Sequence, residues 1–316
     1  MNESLLDNPI WNALRTEQAG FAQGNDRARR YSPDIGPLAG IHDHSEVSYD
    51  SLRSLAGDYP LVLFSLDPIR IPHGWNQVRD GKIVQMVRAG NGATATTPIK
   101  PDHKPFSIPG ESATQLASGL STPVTPNHKP FSIPGESATR LASSLSTPIT
   151  PNHKPFSIPV ESAPAPALAP AISSSAYAAA NHKPFAIPGE LRKLTATDAP
   201  AMVALAELTE PGPFRLRTLA LGNFYGIFHG DQLVSMAGKR MHVPGYIEVS
   251  GVCTHPDARG RGYARRLMKI VMDEIEQAGC KPFLHAWADN PAITLYESLG
   301  FSLRHQFHLA ALKHAN

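Results

Sequence analysis

An α/β (α+β) fold follows from two features of this 316-residue sequence. One is a strand joined to an amphipathic helix through a glycine- and arginine-rich turn. The other is an ordered alternation of strand and helix signals around it. The strand-turn-helix runs from Ile247 to Gln277. Ile247, Val249 and Val252 read as strand, His255 and Pro256 stop the ladder, and Tyr263, Leu267, Ile270, Val271 and Ile275 recur at helical spacing. Arg259-Gly260-Arg261-Gly262 therefore lies at a helix N-terminus, where unpaired N–H groups and summed peptide dipoles favour an anion such as a diphosphate. Glycine at 260 and 262 permits positive φ and leaves no Cβ to block a close phosphate.

The alternation covers Leu191 to Asn316. Leu191 to Leu194 reads as a strand, and a helix opens at Thr197-Asp198 with Met202, Leu205 and Leu208 inward. Strands at Asn223 to His229 and Gln232 to Met241 are joined by a hairpin turn at His229-Gly230-Asp231. After the strand-turn-helix, Pro282 to Ala288 reads as strand. Asn290-Pro291 starts a helix closed by Gly300, and Phe301 to Leu309 alternates as a last strand.

Composition bounds the rest. An apolar content of 41% suffices for ordinary cores, and a net charge of +2 gives no sign of nucleic-acid binding. Two cysteines, Cys253 and Cys280, make no disulfide framework. With no apolar leader or long apolar run, the sequence predicts a protein of a reducing, cytoplasmic compartment with no membrane attachment. Buried packing is the favoured role for both thiols.

Three segments differ in composition. Residues 1–90 read as globular: a helix starting at Asn8-Pro9 with Trp11, Leu14 and Phe21 on one face, a short helix from Val47 to Leu55 behind Ser48, and strands at Leu61 to Leu66 and Lys82 to Val87. His42-Asp43-His44 resembles half a metal site, but no further ligand is near it in sequence, so a solvated loop is favoured and no metal is expected. Residues 91–190 are repetitive: HKPFSIP begins at His103, His128 and His153, and HKPFAIP at His182. Each unit has too few large apolar residues to offset a chain entropy of about 1 to 2 kcal/mol per residue, which predicts a largely disordered, Pro-rich linker. The alternative is a set of docking peptides for a protein partner, each anchored by its Phe and Ile. Residues 191–316 carry the chemistry.

The turn reads R-x-x-G-x-A. It is neither a Walker loop nor the dinucleotide fingerprint. With V-C-T-H-P-D upstream and N-P-A-I-T-L-Y-E-S-L-G-F from Asn290 to Phe301, it resembles the signature of the GNAT superfamily of acyl-CoA N-acyltransferases, and the resemblance covers essentially all of residues 191–316. It implies a mixed twisted sheet flanked by helices and acetyl-CoA as co-substrate. It also implies acetyl transfer to a primary amine by direct attack in a ternary complex, the amine being a small molecule or a peptide N-terminus. Leu6 to Trp11 and Ile83 to Val87 are similar to segments of the glycine N-acyltransferase subgroup. By that resemblance residues 1–90 are a degenerate GNAT-like half, with the repeats inserted between the halves.

By the same resemblance Val252, Cys253 and Thr254 supply main-chain contacts to the pantetheine arm, and Arg259, Gly260, Arg261, Gly262, Tyr263 and Ala264 hold the diphosphate. Asn290 binds the pantetheine amide or merely caps its helix. Glu248 is the candidate base, since it interrupts an apolar strand just before the thioester contact, and Tyr296 the candidate acid toward the leaving sulfur. Either could instead be structural, Glu248 as an anchor and Tyr296 as core. His255 and His285 read as structural. Phe214 and Gly222 to Tyr225 are expected to border the acceptor cleft. The competing reading is a non-catalytic acyl-CoA-binding module with the repeats as an interaction arm.

Overall fold

In the N-terminal segment Pro9 at the first helical position sets the φ of α1 (Pro9–Arg15), which buries Ile10, Trp11 and Leu14. Three short strands, β1 (Ala22–Gly24), β2 (Ala28–Tyr31) and β3 (Ala39–Ile41), form a small antiparallel sheet that the sequence reading did not anticipate. At three or four residues each, they are too short for alternation to register. Next comes α2 (Glu46–Arg53). Its N-cap is Ser45, whose hydroxyl accepts the Ser48 N–H, while Ser48 itself is fully buried one turn in. The helix thus starts behind Ser45, three positions before the expected Ser48. Then follow β4 (Leu61–Ser65) and β5 (Trp75–Arg88).

The structure, a computed structural model, describes residues 2–57, 59–89 and 189–315. The HKPFSIP repeats and their expected disorder lie outside the described residues. From Gly189 onward the elements are β6 (Glu190–Lys193), α3 (Ala199–Thr209), β7 (Phe224–His229), β8 (Gln232–Val243), β9 (Tyr246–Thr254), α4 (Tyr263–Gln277), β10 (Lys281–Trp287), α5 (Ile293–Ser298) and β11 (Phe301–His314). A capping box at Thr195 and Asp198 starts the turn before α3, and Arg192 clamps Asp198 with two hydrogen bonds of 2.9 and 2.7 Å. Gly230, with φ of 59°, makes the β7–β8 turn.

Eight strands form one mixed sheet in the order β4-β11-β5-β10-β9-β8-β7-β6. Strands from both ends of the sequence interleave in it. β5 lies between β10 and β11, antiparallel to both, and pairs with β11 from Arg88↔Phe301 to Trp75↔His314. That pairing explains why β5 and β11 run longer than expected: cross-strand hydrogen bonds carry them through the largely polar, exposed residues 76–80 and on to His314.

The two faces of this sheet bury different cores. On one, α4 and α5 pack Leu267, Met268, Val271, Met272, Ile275 and Tyr296 against Val249, Leu284 and Ala286. Met268 and Met272 fill inner positions, while Ile270, expected inward, is only half-buried. On the other, α1 and β2 bring Ile10, Leu14 and Tyr31 onto Ile83, Tyr246, Phe283 and Phe307. Alternation along β10 divides its side chains accordingly, Phe283 to the second core and Leu284 to the first.

Candidate active site

The site forms where the sheet opens. β9 and β10 form the parallel pair of the sheet, and their register extends only from Lys281↔Tyr246 to Phe283↔Glu248. Beyond that point Val249–Thr254 and Leu284–Trp287 run on without pairing to each other, so two strand edges face a gap. Unpaired main-chain donors and acceptors there can take an extended ligand as though it were another strand.

A bulge shapes the β9 edge. Between Met236↔Cys253 and Gly238↔Ser250 the register of β8 advances by two residues and that of β9 by three, and Gly251 takes up the difference with φ of 61°. A Cβ at Gly251 would lie 2.9 Å from Phe224, so glycine is required by both conformation and space.

A cleft of about 770 Å³, counted out to its open mouth, occupies the gap. Its β9 wall is Val249 to Val252 and its β10 wall Leu284 to Trp287. Tyr296 and Asn290 close it on the α5 side, residues 210–213 border the mouth, and side chains from β4 and β5 line the opposite side. A second hollow of about 1370 Å³ adjoins it and shares Glu210, Trp287 and Asn290. The acceptor-side expectation is corrected in part: the mouth is made by Glu210 to Pro213, whereas Phe214 packs edge-to-face against Phe224 and Gly222 to Tyr225 do not line the cleft.

Past the end of β9, Arg259 to Gly262 form the turn into α4. Gly260 and Gly262 have φ of 76° and 74°, and a Cβ built on either meets nothing within 4 Å. The main chain of the turn is therefore open to solvent at the start of a 15-residue helix. Arg259 donates to the Thr254 carbonyl at 3.3 Å, Tyr263 is hydrogen bonded to His229 at 2.8 Å, and Ala264 is half-buried at the first turn. Arg261 is exposed beside the turn. These features suit a diphosphate, and the strand gap suits the arm that would extend from it.

Val252 lines the cleft, Cys253 is buried toward α3, and Thr254 turns its hydroxyl to Ser235 at 2.8 Å. Burial pushes the Cys253 thiol up to about 12, so it is no thiolate at neutral pH. Asn290 accepts the Ala292 N–H at 2.8 Å and so caps the turn before α5 while also facing the cleft. The Tyr296 hydroxyl has no hydrogen-bond partner among the described residues. Burial, then the nearby Cys253, raise its pKa to about 12, which keeps it protonated.

Glu248 has no solvent exposure. Its carboxylate accepts from Arg240 Nε and Nη2 at 2.8 and 2.9 Å and is 2.9 Å from His285 Nδ1. Burial opposes its charge, but Arg240 and then His285 outweigh it and hold the carboxyl near 2. It stands one layer behind the cleft: Arg240 and His285 line the cavity, and Glu248 does not.

Sequence reasoning missed Arg240 and passed over His285 as a cleft residue, because their meeting depends on the β8–β9 hairpin and on β10 lying beside it. Nor did anything local mark Leu38, Val62, Phe64 or Ile83 as cleft-lining. Each is an apolar residue of ordinary core pattern whose partners lie roughly 200 positions away.

The comparisons with known proteins agree with this geometry. The FR47-like protein family matches residues 224–309, the stretch from β7 into β11. A protein from Novosphingobium aromaticivorans DSM 12444, assigned to the GNAT acetyltransferases, is 28% identical over 98% of this chain and 99% of its own, with a TM-score of 0.63. The fold is that of the GNAT acetyltransferases. The likeness supports acyl transfer as the class of chemistry. Two weaker likenesses are a GCN5-related N-acetyltransferase from Kribbella flavida (13% identity, 96% of this chain and 94% of that one, TM-score 0.48) and the ribosomal-protein-S18-alanine N-acetyltransferase of Escherichia coli (21%, 40% and 94%, TM-score 0.34). No curated protein matches the sequence significantly. Among the described residues no group of three or more His, Cys, Asp or Glu converges as a metal site, and no helix is long and apolar enough to cross a membrane.

Proposed function

We propose that this protein is an acetyl-CoA-dependent N-acetyltransferase that moves the acetyl group to a primary amine by direct attack within a ternary complex. The observation that carries the reading is the opening of β9 from β10 beyond Glu248↔Phe283, with the glycine turn at the start of α4 just past the end of β9. In this reading the main chain of Val252, Cys253 and Thr254 pairs with the pantetheine arm. The turn from Arg259 through Gly260, Arg261, Gly262 and Tyr263 to Ala264 holds the diphosphate, and Asn290 stands beside the arm.

Beside the bulge at Gly251, a main-chain N–H on the unpaired edge of β9 is the group that stabilises the oxyanion as nitrogen attacks. Tyr296 is the proton donor to the departing sulfur, a role its unpartnered, protonated hydroxyl suits. Glu248, with both oxygens engaged and its pKa held low, serves better as the anchor that positions Arg240 and His285 than as the proton acceptor. Entry into a poorly solvated cleft itself favours the neutral amine, whose proton leaves through water at the mouth near Glu210. A buried, neutral Cys253 supports direct transfer over an acyl-enzyme.

The free thiols Cys253 and Cys280 support a cytoplasmic setting. The test is thiol release from acetyl-CoA against a panel of primary amines. Amine-dependent release is expected, and its absence at saturating acetyl-CoA would refute the assignment.

A further inference from the structure

The cleft has two chemically different ends, and the one away from α4 bears on the acceptor. Six apolar side chains line that end: Leu38, Val62, Phe64, Ile83, Trp287 and Leu309. Four of them belong to the N-terminal segment. That segment therefore shapes the space beside the reacting atoms instead of only supporting the sheet. The polar groups reaching the same end are Arg240 and His285.

Both are engaged by Glu248. Arg240 is matched by Glu248 through two hydrogen bonds, and His285 is 2.9 Å from the same carboxylate through Nδ1 and 3.1 Å from the Gln85 amide through Nε2. The imidazole is further enclosed by Phe64, Phe283 and Phe307, with ring centroids 5.1, 5.7 and 5.8 Å away. A second ammonium or a carboxylate on the acceptor would be desolvated against hydrocarbon at this end, with Arg79 over the Trp287 ring at 4.6 Å and Glu210 at the rim as the charges at its margin. A polyhydroxylated acceptor would leave hydroxyls facing hydrocarbon. Both costs exceed what shape alone recovers.

We infer that the acceptor is a primary amine carried on an apolar, uncharged body such as an aralkyl or branched alkyl group, with Phe64 as a specificity-determining residue. This rests on the acetyltransferase reading above. The nitrogen attacks the thioester carbonyl, the C–S bond breaks, the thiol takes a proton, and the nitrogen gives one up, so an amide and free coenzyme A result. The apolar body fills the end lined by the N-terminal segment, and Glu210 at the rim meets the amine while it is still cationic.

The experiment compares kcat/KM for 2-phenylethylamine and isoamylamine with that for spermidine, glucosamine and glutamate, at saturating acetyl-CoA and with thiol release as readout. The apolar amines are expected to lead by about tenfold or more. Phe64→Ser is expected to lower kcat/KM for 2-phenylethylamine by about tenfold and to leave the KM for acetyl-CoA unchanged. Transfer to spermidine, glucosamine or glutamate at equal or higher kcat/KM would overturn the acceptor class while leaving the acetyltransferase reading standing. The wild-type panel decides this even if the variant does not fold. Thiol release with none of the amines would overturn both.

Discussion

Glu248 joins Arg240 and His285 inside the sheet, and the pairing has a pH signature. Its carboxyl is held near 2 against an ordinary 4.5. A carboxyl whose pKa is depressed on folding contributes stability that is fully present above the ordinary value and is lost as pH falls through the folded one. Glu248→Gln is therefore expected to cost about 3 kcal/mol near neutrality, since Arg240 loses its buried counter-charge. The same variant should flatten the acid limb of a Tm-against-pH profile between pH 4.5 and 2. A profile that parallels the wild type would contradict the ion pair. Tyr296→Phe keeps the ring that packs in the α4–α5 core and removes only the hydroxyl. It should lower kcat by about 100-fold with coenzyme A affinity nearly unchanged, and an equal loss in both would mean a packing role alone.

At the scale of elements, the β9-turn-α4 unit was legible because its signals are local: β-branched residues ending at His255-Pro256, two glycines, then helical periodicity. Gly262 has φ of 74° with open space above it. Valine there meets backbone strain of about 1 to 2 kcal/mol and also covers the main chain of the turn. Gly262→Val should therefore weaken acetyl-CoA binding by about tenfold or more in calorimetry, against a small loss of Tm. Unaltered affinity would place the diphosphate elsewhere. The opening between β9 and β10 was implied only by resemblance, since nothing in either strand says where its pairing stops. The bulge at Gly251 was invisible for the same reason. Its need comes from Phe224 across the sheet, and a glycine within a strand signals only that something unusual sits nearby.

For the molecule as a whole, the order of strands matters more than their number. β5 fills the place between β10 and β11, and β4 pairs outside β11, so residues 61–88 complete a sheet begun by residues 190–314. Such pairing across about 200 positions cannot be read from periodicity, which is why the N-terminal strands were found while their place was not. Residues 189–316 expressed alone should therefore fail to fold, with the inner edges of β10 and β11 and one core face bare. Co-expression with residues 1–89 should restore a soluble complex, and a folded, monodisperse 189–316 fragment would contradict the interleaving. Deleting residues 100–181 should leave transfer to a small amine largely intact, with collapse of activity assigning the repeats a part in the chemistry. The most direct test of the account is titration of the full chain with acetyl-CoA in a calorimeter. Saturable heat at a single site, abolished by competing coenzyme A and diminished in Gly262→Val, is the predicted result. No heat at millimolar acetyl-CoA would contradict the proposal that the gap between β9 and β10 is a donor site.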